Sequence, residues 1–285
     1  MTPAAAFSLE PARAGDFESL LALRLRAMRD SLMQLGRYDE ARARERLAAG
    51  FDPAATQHIV VDGRRAGFYV LKRLSHALRL EHFYIDPALQ NRGVGGAVLE
   101  AVCAEADAAL LPIELCALKG SPANRFYLRH GFVHVGDGPW DHDYVRVPLT
   151  PRQRTVRAMW AAFQRRDWPA ARALLADDLR ATWWTSGERF STADGFIAAQ
   201  AEYPEGWTIR LLELAPLQDG RVMTLVRVDH PPGTFYATSF FLVDDGRILA
   251  VDEYWATAEP PPAWRDALPG RGRFDAMDDP RARTP

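Results

Sequence analysis

Lysine is nearly missing from this chain. Lys72 and Lys119 are the only two in 285 residues, so almost all of the positive charge is arginine. That bias reads as genome composition and carries no function. A strong charge of either sign is missing too: the net charge is -2. This excludes the broad basic footprint that nucleic acid or an anionic membrane needs, and neither is expected as a partner. Cysteine is scarce. Cys103 and Cys116 stand alone, without metal-ligand spacing, which excludes a disulfide framework and points to a reduced, intracellular chain. No apolar run approaches the ~20 residues of a membrane span. The N-terminal MTPAAAFSLEPARAGDF has neither the basic start nor the apolar core of a signal peptide, so the expected location is cytoplasmic.

What is present is ordinary for a globular protein: 48% hydrophobic and 25% charged residues. A chain of 285 residues exceeds what one core usually serves, so about two domains are expected. FSLEPA reads as a short strand. A helix over 16–31 carries Phe17, Leu20, Leu21, Leu25 and Met28 at helical spacing, and a second short helix follows over 42–49. HIVVDGRRAGFYVLKRL reads as a hairpin around Asp62-Gly63. Strands over 78–85 and 113–118 flank a helix over 96–109. A short helix over 122–130 stops at Gly131, and strands over 132–135 and 144–148 close the unit. This order suits a mixed sheet with helices on its faces.

PLTPRQR, residues 148–154, is polar and carries two prolines. It marks a join, with a first domain over 1–149, a linker at 150–153 and a second domain over 154–258. Thr155 is placed to cap a helix bearing Val156, Met159, Trp160 and Phe163. Pro169 suits the first turn of another helix. A strand over 179–184 and a helix capped by Thr192 follow. Beyond Trp207 the pattern is strands separated by Asp219-Gly220, Pro231-Pro232-Gly233 and Asp245-Gly246 turns. Three helices and a long meander make this half an α+β domain. Residues 259–285 are rich in proline and charge and read as a loose tail.

The stretch DPALQNRGVGGAVLEA, residues 86–101, holds three glycines within four residues between a strand and a helix. Glycine is costly in ordered backbone and needs a local reason. Amides at a helix start lack intrahelical partners and sit at the positive end of the dipole, so they bind anions, and glycine lets a phosphate come close. The spacing fits neither the dinucleotide fingerprint nor the nucleotide P-loop. Gln90-Asn91-Arg92-Gly93-Val94-Gly95-Gly96 resembles the signature Gln/Arg-x-x-Gly-x-Gly/Ala of the GNAT superfamily of acetyl-coenzyme A-dependent N-acetyltransferases. SPANRFYLRHGF, residues 121–132, is similar to that family's alanine-x-x-x-tyrosine helix ending in Gly-Phe. The resemblance covers residues 7–149.

The resemblance implies acetyl-CoA as cosubstrate, its pantetheine arm pairing with the strand edge at Phe83, Tyr84 and Ile85 as an added strand would. It implies a pyrophosphate on the turn from Gln90 and Asn91 through Arg92 and Gly93 to Val94, Gly95 and Gly96. Ser121 stands where the family often has asparagine and is expected to bond the pantetheine. Tyr127 is the implied acid for the leaving thiolate. An amine acceptor must also lose a proton. Glu81 is the expected base, with His82 as the alternative; strict strand alternation puts Glu81 on the face of Phe83 and Ile85 and His82 on the other. The acceptor is a small-molecule or peptide amine. His134, Asp141, His142 and Asp143 form a polar cluster without a strong metal motif, so no metal is expected. Arg125, Arg129 and His130 read as a solvated helix face.

The second half, with WAAFQRRDWPAARALLADDLRATWW, GERFSTADGFIAAQ and TSFFLVDDGRILAVDEYW, resembles the nuclear transport factor 2-like superfamily, in particular its SnoaL-like members. That implies a curved antiparallel sheet and three helices around a conical pocket. Trp160, Trp183, Trp184, Tyr203, Tyr236, Tyr254 and Trp255 are expected mostly as core or cavity wall, each singly as packing more than ligand contact. Relatives act as isomerases, cyclases or hydrolases through paired pocket groups. Asp229, His230, Glu253 and Glu188 are the residues to watch, although no inward-facing pair is evident. The leading expectation is an N-acetyltransferase with an attached binding or homodimerisation domain. The alternatives are an acyl-CoA sensor or scaffold without chemistry, and an isomerase or hydrolase in the second domain.

Overall fold

A computed structural model describes residues 6–231 and 233–272. Pro232 of the Pro-Pro-Gly turn and residues 273–285 of the expected tail lie outside that range. The chain divides between Pro148 and Leu149 into two units.

The first unit runs β1 (Ser8–Pro11), α1 (Phe17–Gln34), α2 (Glu40–Gly50), β2 (Thr56–Val61), β3 (Arg64–Arg73), β4 (Leu78–Ile85), α3 (Val94–Ala109), β5 (Ile113–Leu118), α4 (Ala123–Arg129), β6 (Val133–Asp137) and β7 (Asp141–Arg146). Its seven-stranded sheet has the order β1-β2-β3-β4-β5-β7-β6. β4 and β5 are the parallel pair, and the other neighbours are antiparallel. One face carries α3 and α4 over Leu78, Leu80, Val98, Leu99, Ile113, Leu115 and Phe132. The other carries α1 and α2, whose Leu20, Leu21, Leu23 and Leu47 pack on Phe68. Each large apolar side chain so buried contributes about 1.5–3 kcal/mol. Arg146 of β7 forks onto Asp107 of α3 at 2.7 and 3.0 Å, with both side chains nearly inaccessible.

In β4 the alternation breaks. Val70 lies opposite Glu81 and Phe68 opposite Tyr84, so Tyr69 faces both His82 and Phe83. His82 is the extra residue of a β-bulge and takes φ +50°. One inserted residue reverses the facing of everything before it relative to everything after. Phe83 and Ile85 pack on the α3 side with Leu80, and Tyr84 on the α1 side. Glu81 therefore faces away from Phe83 and Ile85, and together with His82 it faces Gly50 at the end of α2. The expectation that Glu81 shares a face with Phe83 and Ile85, opposite His82, is overturned by this bulge.

The second unit runs α5 (Pro151–Arg165), α6 (Trp168–Ala173), β8 (Leu175–Trp183), β9 (Glu188–Phe190), α7 (Ala193–Ala201), β10 (Thr208–Pro216), β11 (Val222–His230), β12 (Gly233–Asp244) and β13 (Arg247–Thr257). Its sheet order is β10-β11-β12-β13-β8-β9. All neighbours are antiparallel except β13 and β8. Register shifts at Leu211/Glu213, Leu242/Val243 and Ile248/Ala250 add twist and curl the sheet over the helices. Met159, Trp160, Phe163, Phe196 and Phe241 fill the space between them.

The expected linker at 150–153 is not a linker. Thr150 caps α5, accepting from the Gln153 amide, while the Gln153 side chain returns to the Thr150 amide, and Pro151 occupies the first turn. This capping box starts the helix earlier than the Thr155 expectation. Thr155 instead lies inside the helix and donates its hydroxyl to the Pro151 carbonyl at 3.2 Å. Thr192 does cap α7, accepting from Gly195. Between residues 259 and 272 the chain is largely exposed, with one short 3-10 turn at Ala263–Arg265. No helix among the described residues is long and apolar enough to cross a membrane.

Candidate functional site

The parallel neighbours β4 and β5 pair only at Leu78/Ile113 and Arg79/Glu114. Beyond that point they part: β5 continues on β7 while β4 continues on β3. The β4 edge from Leu80 to Ile85 has no strand beside it among the described residues. Phe83, Tyr84 and Ile85 sit there, presenting backbone that an extended ligand arm can pair with.

The open edge leads into the glycine turn. Pro87–Leu89 forms one 3-10 turn capped by Asp86, and Arg26 holds that carboxylate at 2.7 Å. Gln90 reaches back and donates its side-chain amide to the Ile85 carbonyl at 3.0 Å. Asn91 is left-handed at φ +60°, and Gly93, the N-cap of α3, follows at φ +78°. An L side chain at Gly93 would be strained, which explains that glycine. No side chain caps α3. The amides of Val94, Gly95 and Gly96 lie in its first turn with no intrahelical acceptor, at the positive end of the dipole. Arg92 is exposed beside them. This is an anion cradle at the end of an open strand edge.

Tyr127 of α4 lies on the α3 side of the sheet, only 7% exposed, against Phe126, Phe132 and Tyr144. Burial raises its pKa well above the ordinary phenol value, and the Tyr84 hydroxyl adds to the effect. The phenol keeps its proton at neutral pH, as an ordinary tyrosine does. Ser121 lies in the turn before α4, where its carbonyl accepts from the Asn124 side chain at 2.9 Å. Asn124 also bonds Leu118 and receives the Tyr144 hydroxyl.

On the α1 side, Glu81 is ion-paired with Lys72 at 2.9 Å. Lys72 lies opposite Arg79, one diagonal step away. Burial, reinforced by Arg24, pushes the His82 pKa down to about 4, so its imidazole is neutral near pH 7. A methyl at Gly50 would collide with His82 Nε2, which explains a glycine at the end of α2.

His130 is not on a solvated face. It is half-buried, its ring 4.4 Å from that of Phe126, with Nδ1 on the Phe126 carbonyl at 2.8 Å. Its Nε2 would stand 3.4 Å from a methyl at Gly96, and burial lowers its pKa. Phe126 and Ile85 likewise border Gly95. Sequence reasoning missed Phe126, His130 and Lys72 as walls of the site. The i, i+4 spacing of Phe126 and His130 is the signal for the first two.

The second unit holds an open-mouthed cavity of about 280 Å³. Trp160, Trp183, Trp207, Trp255, Tyr203 and Phe235 dominate its wall. The carboxylates do not converge on it. Glu188 reaches the lining and takes the Ser186 hydroxyl. Glu253 is buried, accepting from Trp183 Nε1 at 2.6 Å and Ser239 at 2.8 Å. Asp229 is held by Arg227 at 2.8 Å, Arg210 at 3.3 Å and Thr234 at 3.1 Å. His230 turns Nε2 to the Glu205 carbonyl.

Burial raises the Glu253 pKa from 4.5, against the lowering effect of its hydrogen bonds. The folded state then holds this proton at pH values where the unfolded chain has released it. Stability from this group is present below about 4.5 and is lost as pH rises through the folded value. Glu253→Gln should remove that slope, and its amide leaves a donor facing a donor at a cost of about 1–3 kcal/mol. Tryptophan fluorescence during urea unfolding reads this unit, because Trp140 is the one tryptophan outside it. Parallel stability-versus-pH curves for variant and wild type would contradict the assignment.

The PaiA N-acetyltransferase of Thermoplasma acidophilum, solved with coenzyme A, is 16% identical over 50% of this chain and 99% of its own, with TM-score 0.42. An NTF-2 like protein of unknown function from Burkholderia xenovorans LB400 is 19% identical over 40% of this chain and 90% of its own, with TM-score 0.35. An LEH-like epoxide hydrolase from M. tuberculosis is 21% identical over 37% and 83%, with TM-score 0.33. No curated protein matches the chain. The family model for the acetyltransferase (GNAT) domain matches residues 54–134, and that for the SnoaL-like domain matches residues 156–251. The chain thus joins a GNAT acetyltransferase domain to a SnoaL-like domain.

Proposed function

We propose that this protein is an N-acetyltransferase that takes acetyl-CoA as cosubstrate and passes its acetyl group directly to a primary amine. One observation carries the reading: an unpaired strand edge runs into an uncapped, glycine-rich helix start, with a protonated tyrosine on the helix beyond the diverging strand. The edge at Phe83 to Ile85 binds the pantetheine amides, and the amides from Arg92 to Gly96 bind the pyrophosphate. Ser121 offers a hydroxyl to the arm.

In this reaction the amine nitrogen attacks the thioester carbonyl, the carbon–sulfur bond breaks, and Tyr127 gives its proton to the departing sulfur. The amine proton passes to Glu81, with Lys72 fixing the carboxylate. His82 is the second candidate, favoured by its neutral imidazole beside the same bulge. For the second domain the supported role is binding, of a ligand or of a second copy of the chain. Its cavity is walled by indole and phenyl rings, and Glu253 and Asp229 are already engaged.

The deciding experiment incubates the full chain with acetyl-CoA and a library of small amines, polyamines and peptides, reading products by mass spectrometry. A product 42 Da heavier than one amine, formed with stoichiometric free CoA, is expected. Tight CoA binding with no product across the library would favour a sensor, and absence of binding would defeat the proposal.

A further inference from the structure

The β6–β7 hairpin gathers side chains that lie apart in sequence. Asp137 and His142 are direct cross-strand partners. His134 is three residues before Asp137, an odd separation that regular alternation would send to the opposite face. The register shift between His134 and Gly136 restores it to the same side. His134 Nε2 then lies 3.4 Å from Asp137 Oδ1, and His142 Nδ1 lies 2.5 Å from the same oxygen. The three donor atoms all fall within 4.8 Å of one another. The two imidazoles meet edge to face at 4.9 Å, over the buried ring of Tyr144. Tyr144 is itself fixed by its bond to Asn124.

We propose that His134, Asp137 and His142 form a binding site for a divalent d-block cation of the zinc class. Two imidazole nitrogens and one carboxylate oxygen are the donor set such ions favour over magnesium or calcium. A tetrahedral ion with bonds near 2.0–2.1 Å sets its ligand atoms about 3.4 Å apart. The His134–Asp137 distance already has this value, and His142 needs to withdraw by a little under 1 Å. The side chains are 42%, 51% and 31% exposed, so a fourth position faces water, the arrangement of an open zinc site. One group competes. Lys119 Nζ stands 3.3 Å from Asp137 Oδ1, holding the place a cation would take, and the ion displaces it. This site is independent of the acetyl-transfer reading, because no cofactor-binding or catalytic residue contributes to it.

The test uses the full chain stripped with chelator, titrated calorimetrically with Zn2+ and spectroscopically with Co2+. One ion per chain and visible d–d absorption of a low-symmetry Co2+ site are expected. The His134→Ala/His142→Ala double variant should lose this binding by more than the roughly 10–100-fold that removing an outer-shell partner costs. Lys119→Met takes a competing charge from the same spot without touching a ligand, and should retain or tighten binding. Wild-type affinity in the double variant, failure of the wild type to bind, or equal loss in Lys119→Met would each overturn the proposal.

Discussion

Replacing Tyr127 with phenylalanine is expected to lower turnover by roughly 10²–10⁴-fold, the usual scale of general acid catalysis, and to leave CoA affinity close to wild type. The exchange removes one oxygen. The ring stays among Phe126, Phe132 and Tyr144, and α4 keeps its packing. Among the described residues no group hydrogen-bonds the Tyr127 hydroxyl, whereas the neighbouring Tyr144 is committed to Asn124 at 3.0 Å. Burial raises the Tyr127 pKa, so the phenol carries its proton at neutral pH. The measurement is kcat with a verified acceptor beside calorimetric affinity for CoA. A parallel Tyr144→Phe variant should show a stability change and little effect on kcat. Wild-type turnover in Tyr127→Phe would make Tyr127 a packing residue.

The outlines of this site are legible in the sequence because they rest on short-range signals. A strand, a proline turn, three glycines and a helix start are contiguous, and the anion cradle follows from backbone geometry within residues 86–97. The Thr192 cap is legible for the same reason. What the sequence conceals depends on pairing between distant segments. The fork arises because β5 stays on β7 along its whole length but pairs with β4 only at Leu78/Ile113 and Arg79/Glu114, and no local pattern encodes that choice. The bulge at His82 has no glycine or proline to announce it, and it reverses the facing of Glu81. The Lys72–Glu81 pair and the gathering of His134 with Asp137 both depend on cross-strand register. In the second unit the sequence reading puts the cap at Thr155, whereas the structure caps α5 with Thr150. Pro151 and Gln153 decide for Thr150, since a capping box needs both partners three residues apart.

Gly95→Asp is expected to leave the fold intact and to weaken CoA binding by about a thousandfold. Gly95 is in the first turn of α3, with no positive φ to forbid a side chain. Its new Cβ would meet Ile85 Cγ1 at 3.6 Å and Phe126 Cζ at 3.8 Å, ordinary contact distances. An acidic residue in a first turn is favourable to the helix, because it meets the same unpaired amides and the same dipole. That preference is the reason binding fails: the carboxylate competes for the charge the pyrophosphate needs. Two like charges about 4 Å apart near a protein surface repel by about 4 kcal/mol, close to a thousandfold in affinity. Gly95→Ala adds the bulk without the charge and should bind within about tenfold of wild type, since a single methyl at ordinary contact distance displaces little. Acetyl-pantetheine, which lacks the pyrophosphate, should bind wild type and Gly95→Asp alike. Circular dichroism establishes that the variants are folded, and calorimetry with both ligands then separates charge from shape. If folded Gly95→Asp binds CoA as tightly as wild type, the pyrophosphate does not lie on this helix start. An equal loss in Gly95→Ala would instead place the cause in crowding against Ile85 and Phe126.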